Sequence, residues 1–282
     1  VKQLFLFIIS SFLFAPAFVF GAVKSSLTLS TNVPYQGDVV MVTLRNAEIK
    51  SATFKKKPIT LFSLDGALVA FLPISGTETP GAYTLKTVFP NGSLATRTIW
   101  VKSRKFARVS LGIPTGSTLT PATLIAQLQK EKIALDEVVK KKTEKVYFEN
   151  KFQYPLSIKE NIVSPFGEIR KTGSSIIRHW GIDYKAPKGT DVLSISGGIV
   201  AKSYIDTTYG NTIIVDHGQG VFSLYMHLDE RLKNEGDVVS KGELIGRVGN
   251  TGYSFGPHLH LSLKVNGVSV DPKKFIALMG NK

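Results

Sequence analysis

The chain has 282 residues, more than one ordinary domain needs and about right for two. Its apolar share of 43% and charged share of 20% exclude a disordered chain, and its lack of cysteine excludes disulfides, thiolate metal sites and a cysteine nucleophile. A formal charge of +14 favours anionic surroundings: nucleic acid, acidic membrane or an anionic wall polymer.

Residues 1–22 read VKQLFLFIISSFLFAPAFVFGA. A positive end, an apolar middle and small closing residues have the order of a signal peptide, with a cut expected ahead of Ala22. An uncleaved membrane anchor is the alternative, since the apolar stretch approaches the ~18–20 residues that span a bilayer. Either way the remainder is expected outside the cytoplasm, in the periplasm or cell envelope, secreted or membrane-anchored. No phosphate loop or dinucleotide fingerprint interrupts that reading.

Residues 23–103 alternate short apolar runs with turn signals. The runs are Leu27–Ser30, Val39–Leu44, Ile59–Phe62, Ala67–Leu72, Tyr83–Phe89 and Thr96–Val101. Their spacing predicts a small Ig-like β-sandwich, with Asn91-Gly92 as a hairpin turn. No histidine lies here, so the module is expected to bind or regulate.

Residues 104–150 change character and predict a linker with one helix. Thr120 is the expected N-cap and Pro121 the first helical position, and helix formers continue to about Lys145. Leu124, Leu128, Leu135, Val138 and Val139 give an incomplete apolar stripe. Lys140–Lys142 and Lys55–Lys57 are the only basic runs, and the excess charge is otherwise spread along the chain. A nucleic-acid binder concentrates its charge, so nucleic acid is not an expected partner.

Residues 151–282 return to strand signals and hold all five histidines. The runs are Val192–Ile195, Gly198–Ser203, Asn211–Val215, Val221–His227, Gly242–Val248, His258–Val265 and Val268–Val270. They predict an antiparallel all-β domain, with Val265-Asn266-Gly267-Val268 as a hairpin. The chain as a whole reads as mainly β.

His258 and His260 lie in an alternating run, so on a strand both rings project from one face. Two polar rings side by side are a poor choice for a core. His179 and Asp183 are four apart, about 13 Å on an extended strand, too far to share one metal. The segment must bend, and Gly181 permits a bend. A His and an Asp from one segment with a His from another make three N/O ligands, and three ligands with an open position are what catalytic zinc requires. Each motif alone is weak: His-x-x-x-Asp and His-x-His arise by chance, His217 reads as a turn residue, and His227 has a buried core histidine as its plain reading. The helix-borne H-E-x-x-H motif is absent, so no Glu base is expected.

The stretches SPFGEIR, RHWGIDYKAPKGT, YGNTIIVDHGQG, SLYMHLDE, GDVVSKGELIGRVGNTG, GPHLHLSL and VDP, over residues 161–272, resemble the lysostaphin-type (LytM-like, MepM-like) zinc metalloendopeptidases. These cut peptide cross-bridges of bacterial peptidoglycan. The resemblance implies Zn2+ held by His179, Asp183 and His260. It implies catalytic roles for His227 and His258, either of which serves as the base at an ordinary imidazole pKa near 6.5. It implies peptidoglycan as the partner and an antiparallel sheet with the zinc in a loop-lined groove. A silent wall-binding or amidase-activating protein is one alternative, disfavoured by the complete ligand set; a carrier-like module around Glu235–Val248 is another, but a carrier needs no His-x-His. The N-terminal module is open to two readings, binding of the wall or a partner, or coverage of the groove that holds the enzyme inactive.

Overall fold

The computed structural model describes residues 26–141, 143–148, 151–157 and 161–280. The export segment expected at 1–22 lies outside them.

The first eight strands are β1 (Ser26–Leu29), β2 (Val39–Arg45), β3 (Ser51–Phe54), β4 (Lys57–Pro58), β5 (Phe62–Leu64), β6 (Ala67–Pro73), β7 (Gly81–Val88) and β8 (Leu94–Val101). They form two four-stranded antiparallel sheets, β1-β2-β6-β5 and β4-β3-β7-β8. Val40, Val42, Leu44, Ala70, Leu72 and Ile74 of the first sheet meet Phe54, Leu85, Ile99 and Val101 of the second in one core. The run Ile59–Phe62 is not a strand as a whole. Pro58 ends β4 because it lacks an N–H, and only Phe62 belongs to β5. β3, which was not among the expected runs, alternates Ala52 and Phe54 inward with Ser51 and Thr53 and pairs with β7.

The first sheet is buried on both faces. Val39, Met41, Val69 and Phe71 point away from the sandwich core and pack with Phe148, Phe152 and Phe275 of the C-terminal half. This explains why β2 and β6 read as continuous apolar runs, without the alternation of a half-solvated sheet. Arg104 fastens the junction, donating to Asp38 Oδ1 at 2.7 Å and to Asp271 Oδ2 at 2.8 Å.

The connector holds β9 (Arg108–Ser110) and α1 (Pro121–Val139). Thr120 caps α1: its Oγ1 accepts from the Thr123 N–H, and Thr123 Oγ1 accepts from the Thr120 N–H. The helix stops six residues before Lys145. The chain beyond it bonds to the sheet instead, with Gln219 N–H donating to Thr143 O and Tyr147 N–H to His217 O. Tertiary hydrogen bonds override helix propensity there.

Then come β10 (Ile162–Ser164), β11 (Ile169–Thr172), β12 (Ser175–Arg178), β13 (Ile182–Lys185), β14 (Asp191–Leu193), β15 (Gly198–Asp206) and β16 (Gly210–Gly218). They are followed by β17 (Val221–Arg231), β18 (Val238–Val239), β19 (Leu244–Val248), β20 (His258–Val265), β21 (Val268–Val270) and α2 (Pro272–Gly280). Ten of these strands build an antiparallel sheet with the path β10-β13-β20-β17-β16-β15-β18, and β9, β11 and β12 form a small separate sheet. The β20–β21 turn places both Asn266 (φ 49°) and Gly267 (φ 77°) in the left-handed region. In the longer β7–β8 connection only Gly92 (φ 82°) takes a positive φ.

Candidate metal centre

β20 reads HLHLSLKV. Leu259, Leu261, Leu263 and Val265 are fully buried in the large core, so His258, His260, Ser262 and Lys264 share the opposite face. On the neighbours, Asp183 pairs directly with His260, and Met226 of β17 pairs with it from the other side. His179 lies just past β12, fixed by backbone bonds in both directions between itself and Gly167 and Glu168.

These elements bring His179, Asp183 and His260 together, all buried. His179 Nε2 is 2.9 Å from Asp183 Oδ1 and 2.8 Å from His260 Nδ1, and His260 Nδ1 is 2.8 Å from Asp183 Oδ1. The outer ring nitrogens define the tautomers. His179 Nδ1–H donates to Pro165 O at 3.1 Å, since a carbonyl only accepts. Ser262 Oγ–H donates to Trp180 O at 3.0 Å, so His260 Nε2–H must donate to Ser262 Oγ at 2.8 Å. In the neutral rings both inner nitrogens are then lone pairs. They face Asp183 Oδ1 at 2.9 and 2.8 Å. Burial pushes His260 down to about 4, which keeps it neutral. Three atoms within 2.9 Å of one another, each able to offer a lone pair, fit a cation. Two imidazoles and one carboxylate suit zinc, and ligating imidazoles commonly donate their other N–H in this way.

Gly181 is required for a different reason than the bend suggested. Its φ is not positive. A Cβ there would overlap the His260 ring and come within 2.6 Å of Leu261 O.

His227 and His258 stand beside the three. The His227 ring centre is 4.7 Å from that of His258 and 6.0 Å from that of His260. His227 sits at φ 60° near an irregularity in the β16–β17 pairing, a conformation that re-aims the side chain. Its Nδ1–H donates to Thr251 O at 2.8 Å, and His258 Nδ1–H donates to Gly256 O at 2.8 Å. Each thus keeps Nε2 as an acceptor, and that of His258 is 3.7 Å from Asp183 Oδ1. Burial pushes His227 down to about 3, well below the ordinary imidazole value expected from sequence.

His217 is not a turn residue. It is fully buried in β16, with Nδ1 bonded to Gly197 O and Nε2 to Ser223 Oγ, both at 2.7 Å, and burial pushes it to about 4. The turn lies at Gln219 and Gly220.

The centre opens into a cleft of about 720 Å³. One wall is α1, through Leu124, Leu128, Lys132 and Leu135. Leu135 and Val139 pack on Phe222, Leu224 and Met226, and Lys264 Nζ is 3.1 Å from Asp136 Oδ1. The connector helix therefore borders the centre, while the β-module meets β20 and β21 through β6 and α2 through Phe71 against Phe275. Sequence reasoning missed this wall. It also gave no role to Ser164, Glu168 and Arg170, although the stretch SPFGEIR that holds them is part of the resemblance.

Residues 177–272 match Peptidase family M23. Over 94 residues the chain is 45% identical to the DD-carboxypeptidase/endopeptidase Mpg of Neisseria meningitidis, covering 33% of this chain and 22% of that protein. Over 124 residues it is 35% identical to the peptidoglycan DD-endopeptidase ShyA of Vibrio cholerae, covering 43% of this chain and 29% of that protein. The matched part thus spans under a third of either relative's length. A crystal structure of an M23 peptidase from Pseudomonas aeruginosa superposes with a TM-score of 0.65 at 24% identity, over 87% of this chain and 96% of that one, and so shares the fold. The paired imidazoles and the carboxylate all lie within residues 177–272, the stretch that matches Peptidase family M23.

Proposed function

We propose that this chain is an exported zinc metalloendopeptidase that hydrolyses peptide cross-links of bacterial peptidoglycan. The observation that carries the reading is the convergence of three possible ligand atoms from His179, Asp183 and His260, with the His227 and His258 rings beside them. His179 Nε2, Asp183 Oδ1 and His260 Nδ1 would hold the zinc. A zinc ion supplies Lewis-acid polarisation of a peptide carbonyl and activation of a water. The Nε2 atoms of His227 and His258 are free to accept a proton from the attacking water. Once protonated, either can donate to the leaving amine or hydrogen-bond the developing oxyanion. The similarity to proteins named as peptidoglycan DD-endopeptidases supports the wall peptide as substrate. The charge of +14 suits an anionic wall. We read residues 23–103 as an accessory module, 104–150 as its connector and 151–282 as the peptidase domain, behind an export segment at 1–22.

The test is incubation of the purified chain with peptidoglycan sacculi, with chelator and then with zinc restored. Release of uncrosslinked peptides that stops with chelator and returns with zinc is the expected result. Chelator-insensitive release, or none from zinc-loaded protein, overturns it.

A further inference from the structure

The two carboxylate oxygens of Asp183 have different partners. Oδ1 faces His179 and His260, whereas Oδ2 accepts from Arg170 NH2 at 2.6 Å. Arg170 is itself clamped. Its Nε donates to Glu168 Oε1 at 2.9 Å and its NH2 to Ser164 Oγ at 2.6 Å, while Ser164 Oγ–H donates to Glu168 Oε1. Glu168, Ser164 and Asp183 are all buried. The strand that carries Arg170 is held on both sides, antiparallel by β12 and parallel by β9 of the connector, where Arg170 pairs with Val109. A planar guanidinium with several fixed donors suits this task, because it can serve three oxygens at once.

We propose that Arg170 is a positioning residue that holds Asp183 so that only Oδ1 is offered to the metal. The inference rests on the metallopeptidase reading above. Free of Arg170, the carboxylate could turn both oxygens to the centre and fill the position a catalytic site keeps open. The guanidinium also neutralises a buried carboxylate, so the three acceptors can stand in place before any ion arrives.

The full chain is loaded with Co2+ alone and its visible absorption recorded, because four-coordinate Co2+ absorbs more strongly than five- or six-coordinate Co2+. Arg170→Gln is expected to lose visible intensity as Oδ2 is released, and its kcat with zinc is expected to fall about 10–100-fold at unchanged KM. Arg170→Lys, which keeps a donor for Oδ2, is expected to move the spectrum back toward that of the unmodified chain. A folded Arg170→Gln variant with the unmodified spectrum overturns the proposal, even if it is less stable. Should that variant not fold, Ser164→Ala loosens the same clamp, and an unchanged spectrum there overturns it equally. Failure of the unmodified chain to bind Co2+ would sink the metallopeptidase reading and this inference with it; binding with indistinguishable variants sinks this inference alone.

Discussion

Asp183 and His260 are direct cross-strand partners on β13 and β20, with Oδ1 and Nδ1 2.8 Å apart. The register is fixed from below, by Leu259, Leu261 and Leu263 in the core. A slip of one residue would drive both histidines of β20 into that core and the leucines into the cleft. Replacing either partner by Ala should abolish zinc binding and turnover. His258→Ala should keep most of the metal and lose turnover by about 10²–10⁴. Metal content and kcat of the purified variants decide this, and a His258→Ala protein without zinc but with activity would reverse the assignment.

Gly181 leaves the room that the His260 ring occupies. Gly181→Ala forces that ring to shift, at about 1–3 kcal/mol for overpacking. Weaker zinc binding and slower turnover are expected, read by chelator competition and kinetics. A variant equal to the unmodified chain in both would refute the packing account.

His217 makes the metal-free chain sensitive to acid. In the unfolded chain its imidazole takes a proton below about 6.5. In the fold, burial delays protonation to about 4. Between those values the unfolded state binds more protons, so stability falls as pH falls, by up to about 3 kcal/mol from this group. Urea unfolding at pH 7 and pH 4.5 should show the loss, and His217→Gln should show less of it. An unchanged pH dependence in the variant would mean that His217 is not the group responsible.

Glu131 anchors α1 beside the centre. Its buried carboxylate accepts from Thr207 N–H at 3.1 Å and Thr208 N–H at 3.2 Å, and the adjacent Tyr209 O accepts from His227 N–H. Glu131→Ala leaves the buried Thr208 N–H unpaired, while the exposed Thr207 N–H can turn to water, and should cost about 1–2 kcal/mol. Faster hydrogen exchange along Pro121–Val139 and at 207–209 is the expected signature. Exchange unchanged in both segments would show that Glu131 does not hold the helix.

Much of the centre was legible in residues 179–183 and 258–260, because strand alternation is a local rule. HLHLSLKV states which face each side chain takes before any fold is known. The helix start was equally local, in Thr120 and Pro121, but its end was not: that depends on Thr143 O accepting from Gln219 N–H and Tyr147 N–H donating to His217 O, some seventy residues away. The β-branched and turn-rich stretches of the first hundred residues announced strands. Yet Ser51–Phe54, whose alternation runs for only four residues, is made a strand by its pairing with β7.

The amino-acid sequence by itself determined the mainly β character, the donor types and the impossibility of a thiolate site. These follow from composition and from side-chain periodicity within single segments. Only the tertiary structure decided which nitrogen of each imidazole faces inward, because that depends on Pro165 and Trp180 carbonyls and on Ser262. It alone seated Arg170 on Asp183, lowered His227 by burial and laid the connector helix, in place of the β-module, along the cleft. Such relations join residues far apart in the chain, and their energies come from burial and hydrogen-bond direction, which exist only once the strands have met.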